Sequence, residues 1–484
     1  MQKLIRSFKK NKEYYFAAAF CLVFLLAYLT LGLVKHAHFL TGYDLSLVNQ
    51  IAWEYSRFIP PVMTGHAYPF MPAFFDHIEF IYILIAPFYW ILPDARTLII
   101  LQALVFSVSG FFVFLLTRKY KLNTLISFSL LFSYFTFYGV QFALWSDVHS
   151  LVFGVSFLAI FIYLLDIGKI KLSFLFFLLA LTSKEDMGFI TFFVSFVYLI
   201  LTKKKINLVI MLISFIYIFV LFFIYYPNFT WGYTYAGDSG LLSGIDLREF
   251  FNTPEKRDVF FYSFISNGFI SFLNPFFLIP FFADLGHYFV LGNERVTSAQ
   301  GLFGHYRVTS AILLVWPTIL IIGKYKKLNT KYIAIYIFFF AAITTYLLHA
   351  PLTYLSKNWF WTEPSGVKNI KLAIDEIPKD AYIVTQTNIS PHVSNRKFVI
   401  TMWGEKKEFK KNSPCGRPVC EWFKWAGEPQ YLLVDTAPEW NILNLLAVRE
   451  DFLAGLSNME KDGTIKIYKQ FGTSRIYTVE KKPF

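Results

Sequence analysis

Runs of apolar residues long enough to cross a lipid bilayer dominate the sequence. The first extends from Tyr14 to Val34, and similar runs follow at short intervals up to residue 349. A transmembrane helix needs about 20 predominantly apolar residues. Hydrophobic residues make up 56% of the chain and charged residues only 16%, with a mean hydropathy of +0.48. Because water-soluble domains of ordinary size could not bury this surface, the sequence predicts an integral membrane protein.

Basic residues lie in short clusters between the apolar runs. The net charge of +13 would also suit nucleic-acid binding. The clusters Arg118 to Lys121, Lys169 to Lys171, Lys203 to Lys205 and Lys324 to Lys327 instead fall where cytoplasmic turns are expected. The segment from Met1 to Glu13 is also basic, and the run after it is too long for a signal peptide. We predict a cytoplasmic N-terminus and no nucleic-acid partner.

The apolar runs predict about eleven spans in a polytopic domain of residues 1–355. Residues 78–93 do not fit as a span, because Pro87 and Pro93 break them and a crossing would place Arg118 to Lys121 outside. We predict a re-entrant or interfacial element there, within a long first outer loop of residues 35–96. The predicted spans are approximately 14–34, 97–117, 124–144, 151–166, 172–183, 187–202, 207–226, two in 259–291, 308–323 and 331–349.

The final part of the chain changes character. Residues 363–484 mix charged residues and prolines with short alternating strands, which predicts a small soluble α/β domain. An odd number of spans places this domain outside the cytoplasm, in a protein of the plasma membrane. A single span in 259–291 would reverse that side. The predicted elements are strands at 381–385, 431–434 and 465–468 and helices at 366–377 and 448–456.

Two of the three cysteines lie close together in the predicted soluble domain. Cys415 and Cys420 flank Gly-Arg-Pro-Val. Such a pair could form a loop disulfide in an oxidising compartment or remain as free thiols. A lone pair does not support a zinc site, which normally needs four ligands.

Ionisable residues collect at the predicted outer ends of the spans. Charged side chains near a membrane are costly to keep there without a use. If the predicted topology holds, these groups could converge on a cavity in the outer leaflet. They are Asp44, Glu54, Arg57, His66, Asp76, His77, Glu79, Asp94, Arg96, Asp147, His149, Lys184, Glu185, Asp186, Arg295, His305 and Arg307.

Asp44 precedes an amphipathic stripe that contains Leu47, Ile51 and Ala52, which predicts a helix lying along the membrane interface. One interpretation of Asp44 is a cap at the start of that helix. The other is a general base that faces a hydroxyl acceptor. The residues alone leave both open.

Lys184, Glu185 and Asp186 lie in a turn between two apolar runs, where polar residues are also expected in a plain loop. A lysine beside two carboxylates could instead bind a lipid phosphate, with the carboxylates holding the ammonium or a metal. His305 and Arg307 begin a later span. Their side chains could form a phosphate clamp, or they could snorkel to the membrane interface. No Walker, Rossmann or serine-hydrolase motif occurs. The candidates for a divalent metal, if one binds, are Asp76, His77, Asp147 and His149.

Several segments together are similar to a known family. The outer domain contributes two of them, and the Lys-Glu-Asp and Asp-x-His elements are the most specific. The segments are Tyr43-Asp44-Leu45 to Trp53, Phe75-Asp76-His77 with Leu84 to Tyr89, Thr97 to Leu104, Ser146 to His149, Ser183 to Asp186, Ser390-Pro391-His392 and Ser394-Asn395-Arg396. Across most of the chain they resemble the predicted membrane proteins named domain of unknown function 2079.

That family looks like a branch of the GT-C glycosyltransferases. The resemblance implies a catalytic acidic residue in the first outer loop, juxtamembrane helices in that loop and a sugar donor carried on a polyprenyl phosphate. By position, Asp44 matches the acidic residue and the segment from Phe75 to Pro93 matches the juxtamembrane stretch. Many of those enzymes have a paired Asp-Glu, whereas Asp44 is followed by Leu45.

The leading hypothesis is sugar transfer from a polyprenyl-phosphate donor to an acceptor on the outer face. Lys184, Arg307 and His305 would bind the phosphate, and Asp44 would orient or deprotonate the acceptor. A transporter or lipid flippase is the alternative, although the sequence contains no convincing internal repeat. A scaffold that binds a partner through its outer domain ranks third.

Overall fold

The structure is a computed structural model that describes residues 2–65, 70–230, 247–290, 301–410, 412–437 and 449–481. His66 and Arg295, two of the predicted outer-side residues, lie outside these ranges. Most described residues are helical. The α-helices are α1 (Gln2–Ala37), α2 (Tyr43–Ser56), α3 (Ala73–Asp76), α4 (Ile81–Ile85), α5 (Arg96–Lys119), α6 (Thr124–Thr136), α7 (Tyr138–Ser146), α8 (Ser150–Asp166), α9 (Ile170–Ser183), α10 (Asp186–Thr202), α11 (Lys205–Phe219), α12 (Tyr226–Phe229), α13 (Pro254–Ile265), α14 (Ile279–Phe289), α15 (Val308–Lys324), α16 (Lys331–Leu347), α17 (Asn358–Trp361), α18 (Val367–Asp375), α19 (Ser390–Val393) and α20 (Arg449–Lys461).

Long apolar helices occupy the predicted runs. Among the described residues, four helical segments are long and apolar enough to cross a membrane, namely Lys12–Ala37, Arg96–Lys119, Lys205–Phe229 and His305–Lys324. Shorter apolar helices occupy most of the other predicted spans, and a further short apolar helix, Ile81–Trp90, lies in the stretch of residues 78–93 that was not predicted to span. Ten residues of helix rise only about 15 Å, so Ile81–Trp90 is too short to cross on its own. This agrees with the prediction for residues 78–93.

One predicted span is a broken helix. Helices α6 and α7 meet at Phe137 with a bend of 42°. A break at membrane depth leaves carbonyl groups that need hydrogen-bond donors. Gln141 Nε2 donates to the carbonyl of Thr136 at 2.6 Å, and the Tyr28 hydroxyl donates to the carbonyl of Phe135. The bend is therefore stabilised by side chains that replace lost helical hydrogen bonds.

The chain forms two compact units that each use several segments. Unit 1 comprises Met1–Gly32, Phe74–Ile81 and Ile100–Lys357, and unit 2 comprises Leu33–Ala73, Tyr82–Ile99 and Asn358–Phe484. Much of the predicted first outer loop thus groups with the C-terminal residues, a grouping that the apolar pattern does not reveal.

In unit 1, α15 is the most enclosed of the four long helices. Its best apolar window is 89% buried, compared with 17% for Lys205–Phe229. Trp316 of α15 is fully buried and stacks on Tyr198 of α10 at 5.3 Å between ring centroids. The helices α8 and α9 pack together, as do α10 and α11. Most of the apolar surface of Lys205–Phe229 is therefore left for lipid.

Unit 2 contains a five-stranded mixed sheet, as the α/β prediction for its C-terminal part requires. The strand order is β4-β3-β7-β9-β8, in which β4, β3 and β7 are parallel and β9 is antiparallel to both of its neighbours, β7 and β8. The sequence did not predict β4, β9 or the β5–β6 hairpin. The strands are β1 (Val62–Met63), β2 (Met71–Pro72), β3 (Ile383–Thr385), β4 (Val399–Thr401), β5 (Trp403–Glu408), β6 (Val419–Lys424), β7 (Tyr431–Asp435), β8 (Ile465–Phe471) and β9 (Ser474–Val479).

A disulfide joins Cys415 and Cys420 beside the β5–β6 hairpin, with the two Cα atoms 6.0 Å apart. Cys420 lies opposite Lys407 in the antiparallel register. Of the two alternatives that the spacing left open, a disulfide or two free thiols, the structure has the disulfide.

Polar side chains tie α2 to other segments of unit 2. Asn49 Nδ2 donates to Ser394 Oγ and to Asn395 Oδ1, each at 2.7 Å. The Tyr89 hydroxyl donates to Asn49 Oδ1 at 2.6 Å. The amide nitrogen of the buried Asn49 is thus held by Ser394 and Asn395 and its amide oxygen by Tyr89, so two other segments of unit 2 specify how α2 packs.

The predicted apolar stripe of α2 is buried inside unit 2. Leu45, Leu47, Ile51 and Ala52 are all buried, and Val48, the remaining residue of the stripe, is half-buried. A stripe that contacts protein in this way is not the surface that would rest on lipid. The prediction that α2 lies along the membrane interface is therefore not supported by its apolar stripe, which is buried against protein.

Glu54 is a buried carboxyl on α2 whose charge is unfavourable. Its Oε2 accepts a hydrogen bond from the backbone nitrogen of Val62 at 2.8 Å, while burial raises its pKa from 4.5 to about 8. A carboxyl whose pKa rises on folding loses stability as the pH rises from its unfolded pKa to its folded pKa. Stability is therefore lost at Glu54 as the pH rises from 4.5 to about 8, and the full cost is present above that range.

We expect Glu54→Gln to leave stability unchanged near pH 5 and to raise it by roughly 3 kcal/mol near pH 8. Glutamine can still accept the hydrogen bond from Val62, because its side-chain carbonyl replaces the carboxylate oxygen. Thermal unfolding of the purified protein at both pH values measures the effect. The matched control is Glu376→Gln, which changes an exposed glutamate of unit 2. Equal shifts for the two variants at pH 8 would contradict the prediction.

Candidate functional site

Unit 1 brings most of the predicted outer-side residues together. Four short regions supply them: the α3–α4 connection, the turn between α9 and α10, the residues after α7 and the turn that precedes α15. A fifth region, α14, adds residues that the sequence analysis did not select. We call this set the ionisable cluster, and it consists of Asp76, His77, Glu79, His149, Lys184, Glu185, Asp186, Asp284, His287, Tyr288, His305 and Arg307.

His77 and Glu185 form a close ion pair within the cluster. His77 Nδ1 lies 2.7 Å from Glu185 Oε1, and the backbone nitrogen of Ile78 donates to Glu185 Oε2 at 3.3 Å. The Glu185 side chain has no exposed surface, whereas that of His77 is 20% exposed. His77 Nε2 lies 3.9 Å from Asp76 Oδ2, beyond hydrogen-bond distance. The pair therefore fixes the imidazole ring from its Nδ1 side.

Lys184 and Asp186 flank Glu185 at the start of α10. The Lys184 ammonium lies 3.9 Å from Asp186 Oδ2, and both side chains are buried. Tyr288 of α14 donates its hydroxyl to Asp186 Oδ2 at 3.1 Å, and His287 Nε2 lies 3.5 Å from Asp186 Oδ1. Asp186 therefore links Lys184 to α14.

Arg307 is fully buried just before α15. Its guanidinium carbon lies 4.7 Å from the centroid of the Tyr288 ring and 5.7 Å from that of Phe289, within the range of cation–π attraction. Two residues further on, Thr309 donates its hydroxyl to Asp284 Oδ2 at 2.6 Å. These contacts attach α14 to the start of α15.

His149 and His305 stack with their ring centroids 3.6 Å apart. His149 Nε2 lies 3.0 Å from Ser146 Oγ, and Gln102 Oε1 accepts from the backbone nitrogen of His149 at 2.8 Å. The side chain of Gln102 also donates to the carbonyl of Asp147 at 3.3 Å. The Asp-x-His element is thus held by α5 and meets the predicted phosphate residue His305 through its histidine.

Charge on the His77–Glu185 pair is favoured by the pair itself. Burial lowers the pKa of His77, but the carboxylates of Glu185 and Asp76 outweigh it and raise that pKa to about 9. Burial raises the pKa of Glu185, but His77 and its hydrogen bond lower it overall. At neutral pH the pair is therefore an imidazolium and a carboxylate.

Lys184 is also held in its charged form. Burial lowers its pKa, but Asp186, Glu185 and Glu79 raise it overall above the usual value. Burial raises the pKa of Glu79, against the attraction of His77 and Lys184. The cluster therefore contains cations that are each close to carboxylates, rather than a patch of unopposed positive charge.

A metal has no assembled ligand set in the described part of the chain. No group of three or more His, Cys, Asp or Glu side chains there is arranged to hold a metal ion. His77 instead pairs with Glu185, and His149 stacks on His305. The metal set suggested from the sequence, which combined Asp76 and His77 with Asp147 and His149, is therefore not supported by this geometry.

Asp44 belongs to unit 2, not to the segments that build the ionisable cluster. It is exposed and lies in the first turn of α2, whose N-cap is Gly42 without a side-chain cap hydrogen bond. The cap interpretation of Asp44 is wrong, because the helix begins at Tyr43, two residues earlier than that role requires. Near the positive end of the helix dipole, its charge is still mildly favoured.

The residues that sequence analysis missed lie on α14. Asp284 and His287 interrupt an apolar run, and Tyr288 follows them. Charged residues within apolar runs are costly unless they have partners. That signal could have selected Asp284 and His287, but counting residues 259–291 as a plain hairpin of spans concealed it.

The fold and the cluster define a helical membrane protein with a cluster of buried ionisable groups, most of which lie at helix ends. A family model described as a predicted membrane protein, DUF2079, matches residues 35–441. The match covers most of the sequence, and the chain therefore belongs to that family of predicted membrane proteins. This confirms the family resemblance that the sequence motifs indicated. No curated protein matches the chain significantly.

Proposed function

We propose that the protein is a GT-C-like glycosyltransferase that transfers a sugar from a polyprenyl-phosphate donor to an acceptor on the extracytoplasmic face. The observation that carries the proposal is the buried pairing of Lys184 with Asp186 at the end of apolar helices. A buried lysine held charged by carboxylates is costly to maintain unless it binds something. A lipid phosphate combines the required negative charge with an apolar tail.

The distance between the Lys184 ammonium and Asp186 leaves the ammonium able to donate a hydrogen bond to a phosphate oxygen. Its distance of 3.9 Å from Asp186 Oδ2 exceeds that of a charge-assisted hydrogen bond, which is about 2.8 Å. The ammonium can therefore donate a direct hydrogen bond to a phosphate oxygen, while Asp186 still attracts the ammonium electrostatically. Arg307 and His305 are the further candidates for the phosphate, and the apolar helices of unit 1 would hold the isoprenoid.

In the proposed reaction, the bond between the sugar C1 and the donor phosphate oxygen breaks as a bond forms between C1 and the acceptor oxygen. The electron pair of the broken bond goes to the phosphate, which the cations of unit 1 stabilise. The acceptor hydroxyl loses its proton to a carboxylate, for which Asp44 is the candidate from the family resemblance. The products are a glycosylated acceptor and a polyprenyl phosphate.

The proposal includes a topology. About eleven spans would result if the bent pair α6–α7 and the shorter apolar helices other than Ile81–Trp90 cross together with the longer ones, and two crossings come from residues 259–291. The N-terminus would then be cytoplasmic, and residues 363–484 would lie outside the plasma membrane. An extracytoplasmic position suits the disulfide between Cys415 and Cys420, since disulfides persist in oxidising compartments.

The direct test supplies the purified protein in lipid nanodiscs with a panel of polyprenyl-phosphate sugars and candidate acceptors. Release of polyprenyl phosphate together with a glycosylated acceptor is the expected result. A flippase would instead move the labelled lipid across a proteoliposome membrane without changing it covalently. That outcome, or no release with any donor, would contradict the proposal.

Asp44→Asn is expected to lower the rate of transfer by at least about 100-fold, because the amide cannot accept the acceptor proton. Binding of the donor lipid should stay within about twofold of the wild type, since the carboxylate is not assigned to the phosphate. Rates of polyprenyl phosphate release and donor dissociation constants measure the two effects. Asp375→Asn, which changes an exposed aspartate of unit 2, is the matched control. Transfer by Asp44→Asn at the control rate would remove Asp44 from the reaction.

A further inference from the structure

His77 is a histidine of the ionisable cluster that is held from one side by a buried carboxylate while its side chain stays partly exposed. Glu185, which has no exposed surface, contacts Nδ1 at 2.7 Å and is itself fixed by the backbone of Ile78. A carboxylate bound to Nδ1 sets the orientation of an imidazole ring and leaves its chemistry to Nε2. The 20% exposure of the His77 side chain means that a ligand can reach part of the ring.

We propose that His77 binds the phosphate of an isoprenoid phosphate through Nε2 and that Glu185 is the positioning residue that holds the ring for this contact. The inference rests on the proposed function, in which the same lipid phosphate is the leaving group. It adds a phosphate ligand to Lys184, Arg307 and His305 and gives Glu185 a role.

The charge state of His77 favours an anionic ligand. With Glu185 and Asp76 beside it, the imidazole keeps its proton at neutral pH, and its pKa is about 9. A protonated Nε2–H can donate a charge-assisted hydrogen bond to a phosphate oxygen. A neutral ring that acts as a base would need a pKa near or below the working pH. Phosphate binding therefore fits His77 better than proton abstraction does.

The surroundings of His77 set the expected pH dependence. The titratable and charged groups that act on it are Glu185 and Asp76, which favour its charge, and Lys184, which opposes it. Glu79 and His305 also interact with His77. Lys184 stays charged because its own pKa is raised, and a phosphate monoester is a dianion above about pH 7. Between about pH 7.5 and pH 10, loss of the His77 proton is therefore the expected change at the phosphate.

The experiment measures binding of farnesyl phosphate to the full-length protein in nanodiscs between about pH 7.5 and pH 10. The ³¹P resonance of the bound phosphate and the dissociation constant are both recorded. Farnesol tests the apolar tail alone, and inorganic phosphate tests the anion alone. We expect farnesyl phosphate to bind best and to lose about tenfold in affinity as the pH passes about 9.

Two variants separate contact from structure. His77→Gln should lower the affinity for farnesyl phosphate by about tenfold at pH 7.5 and abolish the pH dependence. Glu185→Gln keeps an acceptor for Nδ1 but removes the negative charge, so the midpoint of the pH dependence should fall by at least about one unit. An unchanged midpoint would show that Glu185 does not act on a His77 that contacts the phosphate. His349→Gln, which changes an exposed histidine after α16, is the control.

Each outcome decides the matter. His77→Gln with wild-type affinity and an unchanged pH midpoint would overturn the inference, as would a wild type that does not bind farnesyl phosphate. Equal affinity for inorganic phosphate would overturn the lipid assignment. If farnesyl phosphate binds through His77 but no donor releases polyprenyl phosphate, the proposed function fails and the phosphate site remains. If transfer occurs and His77→Gln transfers at the wild-type rate, the inference fails and the proposed function remains.

Discussion

Lys184→Met is expected to reduce release of polyprenyl phosphate by more than about 100-fold, because the variant loses a cation where charge grows on the leaving phosphate. Methionine fills nearly the same volume without charge. The same change should destabilise the protein by about 3 kcal/mol or more, since removing one partner of a buried ion pair leaves the other uncompensated. Turnover with a saturating donor and thermal unfolding measure the two losses.

The pH dependence of the stability loss identifies its cause. Without Lys184, the pKa values of Glu79 and Glu185 rise, because the ammonium lowers both. Carboxyl groups with raised pKa values cost stability increasingly as the pH rises through those values. The deficit of Lys184→Met should therefore be larger near pH 8 than near pH 5.

A control variant removes a lysine from a surface ion pair. Lys371→Met breaks the contact of Lys371 with Glu363, in which both side chains are more than half exposed. Such pairs contribute little to stability. A deficit of Lys184→Met that is independent of pH, or no larger than that of Lys371→Met, would contradict the assigned role.

Apolar run length predicted the helices well because the bilayer imposes a length requirement on local sequence. The run assigned to 97–117 is the helix Arg96–Lys119, and the run assigned to 331–349 is Lys331–Leu347. The break at Phe137 was missed, because the run there continues without a proline. Its cause lies in distant donors, such as the Tyr28 hydroxyl that meets the carbonyl of Phe135.

The composition of unit 2 could not be predicted from local pattern. Asn49 donates hydrogen bonds to Ser394 and Asn395, which are 345 and 346 residues away in the sequence. Such contacts could not be predicted, because hydrogen bonds between amide side chains leave no periodic pattern in the sequence. The α/β character of residues 363–484 was visible, because alternation and charge are local properties. The short strand β4 was missed, since its three residues are all buried and do not alternate.

The candidate site was predicted in part. Ionisable side chains are costly near a membrane and therefore indicate a function there. This principle selected His77, Lys184, Glu185 and Arg307. It could not pair them, because the His77–Glu185 contact joins residues 108 positions apart. It also passed over Asp284, whose single charge lies in an otherwise apolar run. Ionisable residues inside predicted spans therefore merit the same weight as those at span ends.

Gly139→Ala is expected to destabilise the protein by about 3 kcal/mol or more and to impair any activity that needs Arg307. Gly139 lies in the first turn of α7, directly against the backbone that precedes α15. A Cβ atom at Gly139 would lie 2.4 Å from the carbonyl oxygen of Arg307 and 2.5 Å from its carbonyl carbon. Because these are backbone atoms, no side-chain rotation relieves the clash, and α7 or Arg307 must move.

Gly286→Ala provides the matched control, because it adds the same methyl group to another helix of unit 1. There the nearest atom to a new Cβ is a ring carbon of Phe250 at 3.8 Å, an ordinary contact. Alanine is favoured over glycine within a helix by about 1 kcal/mol, so this variant should be neutral or slightly more stable. Unfolding temperatures in detergent, with gel filtration to confirm folding, compare the two. If Gly139→Ala unfolds at the temperature of Gly286→Ala, α7 does not pack against Arg307 this closely, and the cluster has a looser arrangement than the one on which the phosphate assignments depend.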